Sequence, residues 1–171
     1  MAARAGAGNE RGDLGELYDE HAFPVYRLLL AMLGSPDDAQ DAAGEVFLRA
    51  ARQNLRRVRN PRAYLLASAR NQAISILRKR RREVVVDPSD MRFFDPADLQ
   101  PQQAALARRV EAALRELPPE QREVLILKVY EGLTFAEIAA ITRTRANTAA
   151  SRYRYAVEKL RRSLQEYDHD G

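Results

Sequence analysis

The sequence has no cysteine and no tryptophan, and its two histidines, His21 and His169, stand far apart. Disulfides, a thiolate nucleophile and zinc-finger spacings are thereby excluded together, and two separated histidines give no metal centre. There is no glycine-rich phosphate loop and no paired-carboxylate pattern. We therefore read the chain as a non-enzyme with no metal, no cofactor and no small-molecule substrate. No apolar run approaches the roughly 20 residues needed to span a bilayer, and the opening "MAARAGAGNERGD" lacks the apolar core of a signal peptide. The expectation is a cytoplasmic protein without a membrane span. Strand patterning is also missing apart from a brief "VVV" at 84–86, which leaves an all-α chain. With 46% apolar residues in 171, that chain can bury one moderate core or two small ones.

What is present is charge, unevenly spread. Residues 1–45 hold three basic and nine acidic side chains, residues 46–82 hold twelve basic and none acidic, and residues 83–100 hold five acids against Arg92 alone. Basic groups this dense repel one another unless a polyanion is their neighbour, so nucleic acid is the first candidate and an anionic membrane the second. A merely solvated basic helix is the plainer alternative.

Helical signals divide the chain. Residues 1–12 are rich in Ala and Gly and read as a loose tail. Leu14, Leu17, Val25, Leu28, Leu29 and Met32 recur at helical spacing, with Pro24 expected to kink or split the helix and Gly34 to end it. "SPDD" at 35–38 is a start signal for a helix to about Gln53, with Ala39, Ala42, Ala43, Val46, Phe47 and Ala50 on its buried stripe. "NP" at 60–61 starts a third helix that finishes in "RKRRR", closing a unit at 13–82. Residues 83–101 read as an acidic linker, although Val84 to Val86 and Phe93 to Phe94 are greasy enough to dock somewhere. A second unit, 102–166, opens with a helix lined by Leu106, Val110, Ala113, Leu114 and Leu117. It continues with a helix over about 120–130, Gly132 as terminator, "TFAE" as a capping box, a short helix, a polar turn and a last helix over about 147–164. Residues 167–171 read as a second tail.

The segment "TRTRANTAASRYRYAVEKLRR" at 142–162 carries seven basic side chains and one acid, Glu158. Stepping 100° per residue puts Ala149, Tyr153, Ala156, Val157, Leu160 and Leu164 on an inner face, so Tyr153 belongs to the core. Asn147, Thr148, Ser151, Arg152, Tyr155 and Arg162 project outward. A short helix, a tight turn and a helix with such an outer face have the arrangement of a helix-turn-helix, a pattern that many three-helix domains that never meet DNA also share. In a helix-turn-helix, Arg pairs with guanine and Asn with adenine, at about 1–3 kcal/mol for each good pair.

"LRELPPEQREVLILKVYEGLTFAEIAAITRTRANTAASRYRYAVEKLR", residues 114–161, resembles region 4 of the extracytoplasmic-function group of bacterial sigma factors. "LYDEHAFPVYRLLLAMLGSPDDAQDAAGEVFLRA" and "NPRAYLLASARNQAISILRKRRR" resemble region 2 of the same family. The resemblance implies two helical domains that bind RNA polymerase core and promoter DNA, and often an anti-sigma factor. It implies a polymerase-facing surface including Asp38, Asp41, Glu45 and Phe47. The loop from Arg56 through Arg57, Arg59 and Asn60 to Pro61, with Arg62, would form a pocket for an unstacked base of the minus-ten element. Tyr64 is a stacking platform or core, and Arg70, Asn71, Arg78 and Arg80 would follow the backbone. Arg143, Arg145, Asn147, Thr148, Ser151, Arg152 and Tyr155 would address the minus-thirty-five element, and the linker would thread the polymerase channel. The sequence departs from the family at the turn, where Arg143 stands for the usual glycine. A left-handed backbone there carries a penalty of order 1 kcal/mol or more. The alternative function is a helix-turn-helix regulator that does not join polymerase.

Overall fold

The computed structural model describes residues 7–53, 58–83, 91–93 and 100–169. Arg56, Arg57, Val84 to Val86 and Phe94 lie outside them. Among the described residues there are seven α-helices and no strand: α1 (Ala7–Leu33), α2 (Pro36–Arg52), α3 (Pro61–Glu83), α4 (Pro101–Arg115), α5 (Pro119–Val129), α6 (Phe135–Thr142) and α7 (Ala146–His169). No helix among them is long and apolar enough to cross a membrane.

For the first helix, one expectation needs correction and another is narrowed. It begins at Ala7, inside the stretch read as a tail, because extending an established helix costs far less than nucleating one. Of the two outcomes expected at Pro24, a kink or a split, the split does not occur. A proline there forfeits about 3 kcal/mol. Val25, Leu28, Leu29 and Met32 beside it are fully or almost fully buried, and each contributes about 1.5–3 kcal/mol of apolar burial.

The start signals act locally as their chemistry dictates. Ser35 caps α2, its hydroxyl accepting from the Asp38 N–H at 3.4 Å, with Pro36 in the first turn. Asn60 caps α3 through its side-chain oxygen, 3.0 Å from the Ala63 N–H. Thr134 and Glu137 close a capping box on α6. Arg143 sits in the left-handed region at φ 54° and ψ 44°, so the turn keeps the geometry that glycine favours and carries the penalty of a side chain, about 1–2 kcal/mol. The flanking threonines are satisfied: Thr142 donates to the Ile138 carbonyl at 2.8 Å, and its hydroxyl lies 2.9 Å from that of Thr144.

Helix α1 packs on α2, α3 and α5, α3 packs on α6, and α7 packs on α4, α5 and α6. The two halves are thus in contact. A single buried cluster includes Leu28, Leu29, Val46 and Leu65 from the first half and Val124, Leu127, Ile138 and Ala149 from the second. Tyr153, expected in the core, is half-buried against this cluster and tilted onto Phe135 at 5.8 Å.

The linker residues Met91 to Phe93 strap the halves together. The Arg92 N–H donates to the Gly34 carbonyl at 2.7 Å, while the Phe93 N–H donates to Glu111 Oε1 at 2.8 Å. The Phe93 ring lies buried under the Arg122 guanidinium. Gly34 has φ +68°, and a Cβ there would lie 2.6 Å from Met91 Cε. Gly34→Ala should therefore cost about 1–3 kcal/mol in urea unfolding. Met91→Ala in the same background removes Cγ and Cε but keeps a Cβ 2.9 Å from the added one, and should recover only part of that loss. If it recovers nothing, the strap does not press on Gly34.

Candidate nucleic-acid interface

Around the start of α3, Arg59 and Asn60 are exposed. Because the Asn60 oxygen is committed to the helix cap, only its amide nitrogen is available to a base. Tyr64 is half-buried against the core cluster, and its hydroxyl donates to Gln53 Oε1 at 2.5 Å. The two readings of Tyr64 meet in this position, with part of the ring packed and its polar tip at the loop. Further along α3, Asn71 and Arg78 are exposed.

The remaining arginines of this set are occupied. Arg70 makes a two-pronged pair with Glu123 of α5, Nε to Oε2 at 2.9 Å and NH2 to Oε1 at 3.3 Å. Arg62 donates to Glu131 twice, to Oε2 at 2.9 Å and to the main-chain carbonyl at 2.6 Å. Arg27 of α1 takes the other oxygen of Glu131, with its guanidinium between the rings of Phe23 and Tyr130 at 4.7 and 4.6 Å. Glu123 is 1% and Glu131 6% exposed. Gly132, at φ +63°, turns the chain just after Glu131. Burial pushes the Glu123 carboxyl above its usual range, although Arg70 and, more weakly, Arg152 pull it down.

On α2, Asp41 and Glu45 are exposed and share a helix face. Asp38 is ion-paired with Arg80, so two residues assigned to different surfaces hold each other. Burial alone would raise the Asp38 carboxyl, but the Ser35 hydroxyl and Arg80 outweigh it and hold the carboxyl below its ordinary value. Phe47 does not share the acidic surface. It is 7% exposed, edge-on to Tyr18 at 4.8 Å, and belongs to the buried stripe that the helical period assigns it. The exposed apolar side chains beside it are Tyr18 and Leu48.

In the helix-turn-helix, Arg143, Arg145, Asn147, Thr148 and Tyr155 are exposed, and Ser151 and Arg152 are half-buried. The first turn of α7 is thus open to a ligand, and it contains no acid.

Residues that the sequence reading passed over organise the second half. Arg122, 3% exposed, has its guanidinium 4.7 Å from the Phe93 ring centre and bonds the Leu114 carbonyl at 3.4 Å. Burial pushes its pKa down to about 10, which leaves it charged at neutral pH. Arg27, Glu123 and Glu131 were also missed. Arg62 and Arg70 are eight residues apart, as are Glu123 and Glu131, but nothing in that spacing alone says that the two pairs meet.

Comparison with known proteins identifies the family. Residues 17–83 match the family model for Sigma-70 region 2, and residues 107–160 match that for Sigma-70 region 4. The ECF RNA polymerase sigma factor SigL of Mycobacterium tuberculosis is 36% identical over 156 residues, covering 88% of this chain and 88% of SigL. The ECF RNA polymerase sigma factor SigE of Mycolicibacterium smegmatis is 31% identical, covering 89% of this chain and 62% of its own length. The fold is similar to that of the sigma factor RpoE of Bartonella quintana, solved with the anti-sigma factor NepR. The TM-score is 0.76 at 23% identity, covering 90% of this chain and 97% of RpoE.

Proposed function

The chain belongs to the ECF group of RNA polymerase sigma factors, and from that we propose that it gives core polymerase its promoter specificity in the cytoplasm, catalysing nothing itself. The first half, α1 to α3, binds core polymerase through the Asp41 and Glu45 face and holds an unstacked base of the minus-ten element near Arg59, Asn60 and Tyr64. Pulling a base from the stack costs a few kcal/mol, and a pocket that fits one base offsets the cost selectively. The second half, α4 to α7, reads the minus-thirty-five element with the open first turns of α7. The observation that carries this reading is the pairing of an exposed, acid-free helix-turn-helix edge with a stretch of twelve basic and no acidic side chains over 46–82. RpoE of Bartonella quintana was solved with an anti-sigma factor, and we extend control by such an antagonist to this chain.

Co-purification with core polymerase separates this reading from that of a regulator that acts alone, which would leave core behind. Within holoenzyme, Arg152→Ala should cost about 1–3 kcal/mol of promoter affinity, and equal abortive initiation by variant and parent would remove that contact. For Asn60 the cap must be spared. Asn60→Asp, which keeps the capping oxygen, should change base preference within the minus-ten element at unchanged stability. Asn60→Ala should in addition lose about 1 kcal/mol of stability. Unchanged preference across a randomised promoter library would exclude Asn60 as a reader.

A further inference from the structure

The strongest unexplained feature is the commitment of two basic side chains on the nucleic-acid face to carboxylates of the other half. Arg62 and Arg70 stand eight residues apart on α3, about 12 Å along its axis. Glu131 and Glu123 meet them at the same spacing in the opposite chain direction. Neither carboxylate has another evident structural task. Each is almost fully buried and would be solvated more cheaply if the halves parted. We propose that Glu123 and Glu131 are an intramolecular latch that stands in for DNA phosphates, holding Arg70, Arg62 and Arg27 in a closed chain until a nucleic acid or polymerase displaces them.

Three observations support this. First, the groups are shared: a guanidinium bonded to a carboxylate at 2.9 Å cannot present the same edge to a phosphate. Second, the latch is poised to release. A buried ion pair returns little net free energy, because desolvation consumes most of the Coulombic gain, and the Glu123 carboxyl stays raised despite its partner. Third, the closure is selective. It engages the minus-ten side, while Asn147, Thr148 and Arg145 remain exposed at the start of α7. The closed chain can therefore meet duplex DNA through its helix-turn-helix but cannot use Arg62 or Arg70 on a melted strand. The strap at Gly34 and Phe93 keeps the halves aligned for reclosing.

The inference rests on the sigma-factor reading for the role of Arg62 and Arg70, and its test is independent of polymerase. The free full-length chain is compared as parent, as Glu123→Gln with Glu131→Gln, and as Arg27→Met, which loosens Glu131 without touching a proposed DNA contact. A fourth chain, Glu16→Gln with Asp19→Asn, removes the same charge as the double glutamate variant from exposed sites on α1, whereas Arg27→Met loses a positive charge, which by itself would weaken binding to a polyanion. Small-angle scattering gives the radius, and fluorescence anisotropy gives affinity for a labelled single-stranded oligonucleotide of mixed sequence. The latch predicts that both loosened variants expand and that their affinity rises by about fivefold or more, well beyond the charge control. An unchanged radius, or an affinity gain no larger than that control's, overturns it. Core binding by the parent is measured separately. Its failure would refute the sigma reading, while scattering would still decide the latch.

Discussion

Glu123→Ala should lower the unfolding free energy of the free chain by about 3 kcal/mol, among the largest losses available from any single substitution. Removing one member of a buried ion pair costs about 3–5 kcal/mol because the other is left without compensation. The lower end applies because the Arg70 side chain keeps 13% exposure and can draw in water. The companion substitution decides the cause. Arg70→Met in the Glu123→Ala background removes the stranded charge and should restore most of the loss, so a double-mutant cycle in urea returns a large coupling. Additive losses would mean that Glu123 acts through packing alone. The same reasoning explains why the proposed release needs a competing charge: a polyanion that takes Arg70 must leave Glu123 access to solvent.

Leu127→Ala should cost about 2–5 kcal/mol. Leu127 is completely buried on α5, in the cluster that also contains Leu28, Leu29 and Leu65. Its removal leaves a cavity facing both halves, and the range reflects how far each can collapse into it. A shared core makes a sharper statement than the magnitude. Fluorescence of Tyr64 in the first half and of Tyr153 in the second, each isolated by Tyr→Phe replacement elsewhere, should shift to lower urea together. A shift seen only at Tyr153 would show that the halves unfold separately. Leu106→Ala, at an exposed position on α4, should stay within about 0.5 kcal/mol of the parent.

How much of this was legible in the sequence follows from the range of the forces involved. The caps at Ser35, Asn60 and Thr134 are local chemistry, settled within four residues, and their helices start where the side chains direct. Gly34 and Gly132 likewise mark positive φ. Pro24 does not split α1 because its penalty is local while the burial that overrides it is tertiary. Phe47 was given two places, and only the buried one agrees with its packing. The latch was invisible for a related reason. Glu123 resembles an ordinary solvated helix acid and Glu131 an ordinary loop acid, and their partners lie 53 and 69 residues earlier in the chain. Glu123 did carry a hint, since it precedes the apolar run "VLIL" and is the one acid pointing into that stripe. The charge blocks suggested a polyanion as neighbour to the first half. They gave no sign of the carboxylates of α5 and its following turn that meet Arg62 and Arg70 in the fold.

The most direct test of the central claim is transcription from a random-sequence template by purified core polymerase, with and without the full-length chain, followed by sequencing of the transcript starts. The account predicts discrete starts that appear only with the chain and share two upstream elements at fixed spacing. Starts scattered as they are with core alone would contradict it.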